Sequence, residues 1–479
     1  MGSEAHGALH ILFFPLMAPG HMLPMVDMAK LFAARGLKPT IFTTPGNVRL
    51  IQPSIDNANG SGHQNPIQLF TVPFPSIDGI PDGCENLSSV TQELHVKFFV
   101  GLGNLREPFK DSLARLRPDC IVSDMFLPWT ADEAAERGMP RLVFHGSNFF
   151  TQCAYRSIEH HKVLESLAPG EDTFVIPGLP HRVELRRSTM PDIQTFAPEL
   201  MDIILQTREA ELKSLGTVMN TFYELEPDYA DHFCNVMGRR AWNIGPLSLC
   251  NKDVADKWRR GNEASITSEF CLNWLDSQEP SSVVYVCFGS LSDFTTAQLR
   301  EIAAGLEASG RPFVWVVRNH SEEWIPEGLE ERVGGKGLII RGWAPQILIL
   351  SHVAVGGFLT HCGWNSILEG VSAGLPFVTW PLFADQFYNE RLIVDVLKIG
   401  VAVGSNEYAN KPEERKIIEA AKIEATINEL MGDGKDADER REKARALGEL
   451  AQRAVEKGGS SYRDLDNLIS ELVEKRSAV

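Results

Sequence analysis

Apolar residues along this chain fall into short, dense runs separated by amphipathic stretches. In the first half the runs are HILFFPL, PTIFTTP, IQLFTVPF, DCIVSDMF, RLVFHGS, TVMNTF and AWNIGPL. Runs of this length, alternating with helical segments, predict the buried strands of a parallel sheet in an α/β unit. The first strand is expected over 9–16. A Pro/Gly turn follows, then a helix with Pro24 in its first turn. Met25, Met28, Ala29 and Phe32 share one face of that helix at i, i+3, i+4 and i+7. Gly36 is placed to end it.

The segment 248–268, SLCNKDVADKWRRGNEASITS, is polar and charged without an apolar period, and reads as a linker. Beyond it the alternation restarts with SVVYVCFGS, PFVWVVRN, GLIIRGW, VGGFLTHC, PFVTWPL and GVAVG. Two Rossmann-like units with parallel sheets facing a cleft are therefore expected. They divide as 1–247, a linker over 248–268, and 269–462. The tail from about residue 412 reads as helix, and its last part, 463–479, is expected to pack back on the first unit. Segments 52–66 and 76–90 read as loops, and 154–215 as helical or irregular with little strand signal.

Composition narrows the function classes. With 46 Lys and Arg against 63 Asp and Glu, the formal net charge is −17. That balance argues against a nucleic-acid partner, whose affinity rests on neutralising phosphates, and against an anionic membrane surface. The eight cysteines form no C-x-x-C, and several sit inside apolar runs. Reduced, buried thiols and a cytoplasmic location are expected. The N-terminus has no Lys or Arg before its apolar run, so a signal peptide is not expected. No run of about 18 apolar residues is present to span a membrane.

The chemistry concentrates at strand ends. In FLTHCGWNSILE (358–369) a strand runs into THCGWNS and then a short helix stopped near Gly374 and Pro376. Unpaired N–H groups and the helix dipole make such a turn an anion site suited to phosphate. Gly363 allows close backbone approach, and His361, Asn365 and Ser366 add donors. Glu369, one turn beyond Asn365, can accept from a ribose. Trp343, Ala344 and Gln346 follow another strand end, where an indole can stack on a planar ring. Asp385 and Gln386 follow a third and can bind hydroxyls. His21 lies at the start of the first helix, where the dipole favours a neutral imidazole fit for a general base. In a sheet of order 3-2-1-4-5, Asp124 at the end of DCIVSD can meet it at the switch point and fix its tautomer. Each feature also has a plainer reading: a capped helix, a packed Trp, an Asp cap or an ordinary loop His.

Several signatures are missing. Neither G-x-x-x-x-G-K-[ST] nor H-E-x-x-H occurs. GLGNLR at 101–106 lacks the third glycine of a dinucleotide fingerprint. Asp436-Ala437-Asp438 sits in a charged, helix-prone stretch and reads as a solvated helix start.

The 44 residues from Trp343 to Gln386 carry WAPQ, HCGWNS, a Glu and a terminal DQ. They closely resemble the signature box of plant secondary-product UDP-glycosyltransferases. The N-terminal PLMAPGHMLPMVDMAKLF and the later VCFGS also look like this family. The resemblance implies a GT-B fold, with the UDP-sugar donor held mainly by the second unit and a small hydrophobic acceptor by the first. It implies no cofactor and no metal, and a monomer is the expected state. By position, Trp343 matches the uracil-stacking residue, with Ala344 and Gln346 beside it, and Glu369 matches the ribose ligand. His361, Gly363, Asn365 and Ser366, with Ser290 of CFGS, match the diphosphate contacts. Trp364, Asp385 and Gln386 match the sugar contacts. His21 and Asp124 match the base and its supporting acid. Ser147 and Asn148 lie in a segment whose polar residues can approach the donor.

The implied reaction is an inverting O-glycosylation. Gln386 resembles the residue of glucose users, and the acceptor class is a flavonoid or other phenolic, a triterpenoid or a steroid. The alternatives are the same chemistry with UDP-glucuronic acid, UDP-galactose or a UDP-pentose, and a non-catalytic nucleotide-sugar-binding protein.

Overall fold

Every run named above becomes a strand in the computed structural model, which describes residues 7–477 apart from 63, 169, 193–196 and 319–323. The first six residues of the leader reading and the last two of the tail lie outside the described residues. The strands of the first unit are β1 (His10–Phe14), β2 (Lys38–Thr43), β3 (Gln68–Thr71), β4 (Cys120–Asp124) and β5 (Arg141–His145). After a small hairpin of β6 (Thr173–Val175) and β7 (Glu184–Arg186) come β8 (Gly216–Met219) and β9 (Ala241–Asn243). The second unit contributes β10 (Val283–Cys287), β11 (Phe313–Val317), β12 (Gly337–Arg341), β13 (Val355–Thr360), β14 (Phe377–Thr379) and β15 (Gly400–Ala402).

Two parallel sheets result, ordered β3-β2-β1-β4-β5-β8-β9 and β12-β11-β10-β13-β14-β15. In each, the strand order reverses beside the first strand of the unit. Phe14 of β1 lies opposite Ser123 of β4, and Cys287 of β10 opposite Thr360 of β13. Those pairs bring the C-terminal ends of β1 and β4, and of β10 and β13, side by side, where open α/β sheets bind ligands.

The first helix, Pro19–Ala34, buries Met25, Met28, Ala29 and Phe32 against its sheet, as their spacing demands. Gly36 follows with φ of 79°, a left-handed turn at low cost for glycine. Three expectations fail. The first helix already starts at Pro19, so Pro24 is its sixth residue and not in its first turn. Residues 52–60 are not a loop but the second half of helix Pro45–Gly60. Their Pro, Asn and Gly content reads as turn, yet Leu50, Ile51, Ile55 and Ala58 form a buried stripe that overrides propensity. Within 154–215 the hairpin β6–β7 was not legible, because three-residue strands carry too little alternation to register.

Behind residue 412 the chain is helical over Ala420–Met431, Lys435–Val455 and Ser460–Ser477. Asp436 and Asp438 lie in the first turn of the second of these, where acidic side chains complement the dipole. The last helix inserts Leu465, Leu468 and Leu472 into the core of the first sheet. Asp464 accepts from the main chain of Asn243 at 2.9 Å, and Glu471 pairs with Arg240. The units also meet through an apolar seam in which Phe149 and Phe222 pack with Trp364 and Tyr388. Among the described residues, no helix is long and apolar enough to cross a membrane.

Candidate active site

His21 is the third residue of the first helix, and Asp124 is the last of β4. The neighbouring strand ends bring Nδ1 of His21 to 2.7 Å from Oδ2 of Asp124. Asp124 is fully buried, and its other oxygen accepts from Phe126 N–H at 3.0 Å. A carboxylate can only accept, so Nδ1 carries the proton and Nε2 keeps its lone pair. Gly146 flanks the ring, and a Cβ there would lie 2.9 Å from Cε1. Burial alone would lower the His21 pKa. The charge and hydrogen bond of Asp124, together with the charge of Asp385 across the cleft, raise it instead. The helix dipole is thus not the controlling influence that the sequence suggested: a carboxylate in contact outweighs it.

Asp385 is itself pushed up to about 6 by burial, with Asn389 opposing. As the base of the transfer proposed below, His21 acts in its neutral form, so activity should fall as pH drops through its raised pKa. Asp385→Asn removes a negative charge facing the ring and lowers that pKa. The acid limb of kcat/KM should therefore move to lower pH. A pH–rate profile checks this, and an unmoved limb would separate the two groups.

The second site begins with an absence in the first helix. Pro24 has no N–H, so the carbonyl of Gly20, four residues back, is left without its helical partner. Asn365 Nδ2 donates to it at 2.5 Å. Asn365 Oδ1 accepts from Asn220, just after β8, at 3.3 Å. One side chain of the 364–372 helix thus joins both units. That helix, Trp364–Ser372, starts at Gly363 with no side-chain cap, which leaves its first N–H groups facing the cleft. His361 precedes it, between two glycines. A Cβ on Gly289 would lie 2.6 Å from its ring, and one on Gly363 2.5 Å. Burial holds the imidazole down to about 4, so it is a neutral hydrogen-bond donor at physiological pH.

Beyond lies a cleft of about 540 Å³, within the range of small-molecule sites. Pro19, Gly20 and Leu23 line it from one side, and Ser290, Trp343, Ala344, Gln346, Asn365, Ser366 and Glu369 from the other. Gln346 donates to Ser366 Oγ at 3.1 Å and to Glu369 Oε2 at 2.7 Å, which ties the Trp343 loop to the helix.

Comparison with known proteins fits this geometry. A family model described as UDP-glucoronosyl and UDP-glucosyl transferase matches residues 236–410. Scopoletin glucosyltransferase of Nicotiana tabacum is 48% identical over 472 residues, 97% of this chain and 98% of the relative. The chain belongs to the plant UDP-glycosyltransferase family. The UDP-glucose flavonoid 3-O-glucosyltransferase 7 of Fragaria ananassa is 47% identical, with 98% of each chain covered. The crystal structure of Glycyrrhiza uralensis UGT73P12, complexed with glycyrrhetinic acid 3-O-monoglucuronide, matches with a TM-score of 0.91 at 41% identity. That match covers 98% of this chain and 97% of the other. Medicago truncatula UGT71G1, complexed with UDP-glucose, matches at 0.80 and 27% identity over 97% of this chain and 98% of its own. The protein is thus a UDP-glycosyltransferase of GT-B architecture that binds a UDP-sugar and a small acceptor.

In this transferase several expected site residues are held in ways the sequence did not disclose. The Trp364 ring is 2% exposed, and its Nε1–H is committed to the carbonyl of Asn220 at 2.7 Å. Its indole is a strut between the units, and what it can offer a sugar is its main-chain N–H. Gln386 is buried, with Oε1 accepting from the main chain of Leu382 and Phe383 at 2.8 and 3.1 Å, which leaves Nε2 for a ligand. Asp385 Oδ2 accepts from Asn389 at 3.0 Å. Asn389 is fully buried, donates to the carbonyl of Cys362 at 2.9 Å and accepts from Asn148 at 2.7 Å. Asn148 also caps helix Phe149–His160, while Ser147 accepts from Gln152. Sequence reasoning missed Asn220 and Asn389, since a lone Asn after a strand or within a helix carries no local signal. It also missed Arg260, which lines the cleft from within the segment read as a linker.

Proposed function

We propose that this transferase moves glucose from UDP-glucose, with inversion, to a hydroxyl of a hydrophobic plant metabolite, a phenolic such as a flavonoid or a triterpenoid. The observation that carries the reading is the His21–Asp124 pair, 2.7 Å apart, with His21 on the helix whose start lines the donor cleft. In this scheme residues 1–247 present the acceptor, 269–462 hold the donor, 248–268 link them, and 463–479 pack back on the first unit. His21 Nε2 takes the proton from the acceptor hydroxyl. The oxygen attacks the anomeric carbon as the bond to the UDP oxygen breaks, and Asp124 stabilises the imidazolium. His361, Asn365, Ser366, Ser290 and the uncapped helix start above Gly363 receive the charge developing on the diphosphate. Trp343 with Ala344 holds the uracil, Glu369 the ribose, and Asp385, Gln386 and the Trp364 main chain the sugar.

Phe126 lies edge-on to His21 with centroids 6.0 Å apart, and Phe99 packs on Phe126 at 5.1 Å. An apolar acceptor ring beside the base suits that wall. The acceptors in the names of the tobacco and strawberry relatives, and the triterpenoid glycoside in the licorice structure, support the same class. The substrates meet within one chain, so a monomer suffices, and eight free thiols suit the cytoplasm.

The test is a mass-spectrometric screen of UDP-sugars against phenolic and triterpenoid acceptors. A β-glucoside formed from UDP-glucose is expected. Product only from UDP-glucuronic acid, UDP-galactose or a UDP-pentose overturns the donor assignment. Binding of UDP-glucose without any glycoside overturns catalysis.

A further inference from the structure

Within the linker, Arg260 is buried to 9% side-chain exposure and bonds one carboxylate from each unit. Its Nε donates to Asp27 Oδ2 and its Nη1 to Glu369 Oε1, both at 2.7 Å. Asp27 is fully buried on the first helix, within two turns of His21. Its Oδ1 accepts from Asn251 at 2.9 Å and lies 4.0 Å from Lys30 Nζ, which in turn donates to Asn251 Oδ1 at 2.7 Å. Two cations therefore face two carboxylates, and the cluster is neutral. A guanidinium has donors on separate edges in a rigid fork, so it can hold two carboxylates at a set angle.

The consequence for Glu369 is geometric. Oε1 is held by Arg260 and Oε2 by Gln346, which fixes the carboxylate plane while leaving each oxygen a further lone pair. The residues after Arg260 build the adjoining wall. Gly261 has φ of 103°, and a Cβ there would lie 2.2 Å from Cζ2 of Trp343. Ser265 donates to the Trp343 carbonyl at 2.9 Å and accepts from its N–H at 3.0 Å.

We propose that Arg260 is a positioning residue of the donor site: anchored by Asp27, it sets the Glu369 carboxylate for the ribose hydroxyls. The first helix and the ribose subsite are then assembled together, and the linker is part of the site. This rests on Glu369 being the ribose ligand.

Calorimetry on the full chain with UDP, 2′-deoxy-UDP and 3′-deoxy-UDP tests it. The wild type should bind UDP about tenfold or more tightly than the deoxynucleotide lacking the hydroxyl Glu369 holds, as one charge-assisted hydrogen bond requires. In Arg260→Met that ratio should fall below about threefold, because a carboxylate no longer aimed at the hydroxyl loses most of the bond. Arg260→Lys supplies a point charge that cannot bond along two edges. It should narrow the ratio likewise, and it serves if the methionine variant does not fold. Asp27→Asn should narrow it through loss of the anchor. A purely structural role would weaken all three nucleotides by one factor and preserve the ratio. A full ratio in a folded Arg260 variant overturns the proposal, and a full ratio in Asp27→Asn overturns the anchoring. The absence of any ratio in the wild type overturns the ribose assignment of Glu369, and this proposal with it.

Discussion

His21→Ala lowers kcat by about 10²–10⁴-fold, the range for loss of a general base, while UDP affinity measured by calorimetry stays near wild type. The acceptor hydroxyl must lose its proton as it attacks, and His21 joins a free ring nitrogen to a buried acid on the helix whose start lines the cleft. Asp124→Asn acts through the same ring. An amide at 2.7 Å from Nδ1 can donate to it, which favours the tautomer with the proton on Nε2 and removes the lone pair the reaction uses. The loss should approach that of His21→Ala. The double variant should be little worse than the single one, because residues acting as a unit are not additive. Near-normal turnover of His21→Ala with an intact phenolic or alcohol acceptor would remove the base from the mechanism.

His361→Ala is the second large effect, with an expected loss of about 10²–10³-fold in kcat, the range for deleting one preorganised donor to a developing oxyanion. The imidazole is held down to about 4 by burial, so it stays neutral between about pH 5 and 8. The loss should therefore be the same factor across that range, in contrast to the His21 limb. Thr360 Oγ1 lies 3.3 Å from Nδ1, and Gly289 and Gly363 leave no room for a Cβ against the ring. Gly289→Ala places a methyl 2.6 Å from the imidazole at φ of 76°, so it should reproduce much of the loss by displacing the ring. Turnover and UDP affinity measured on both variants decide the matter: His361→Ala with unchanged values removes the residue from the diphosphate site.

Much of this architecture was legible in the chain. Both sheets were readable because each buried strand is a dense apolar run between turn residues, and the first helix because Met25, Met28, Ala29 and Phe32 repeat at helical spacing. Candidate site residues were readable wherever chemistry sits at a strand end, as at His21, Asp124 and His361. The short hairpin β6–β7 and helix Pro45–Gly60 were not, the one for want of length and the other because burial of Leu50, Ile51 and Ile55 overrode turn-like composition.

By itself the sequence determined the strands of both parallel sheets, the first helix, the two-unit alternation and the box from Trp343 to Gln386, all of which depend on neighbours a few residues apart. Tertiary structure alone decided that Trp364 turns its indole to Asn220, 144 residues away, and that Asn365 completes the carbonyl freed by Pro24. It alone decided that Arg260 is no spacer but a charge shared between residues 233 and 109 positions distant. The reason is physical: periodicity records which face a residue buries. The partner of a buried polar group is set only when two separately folded surfaces close on it, where an unpaired charge would cost several kcal/mol.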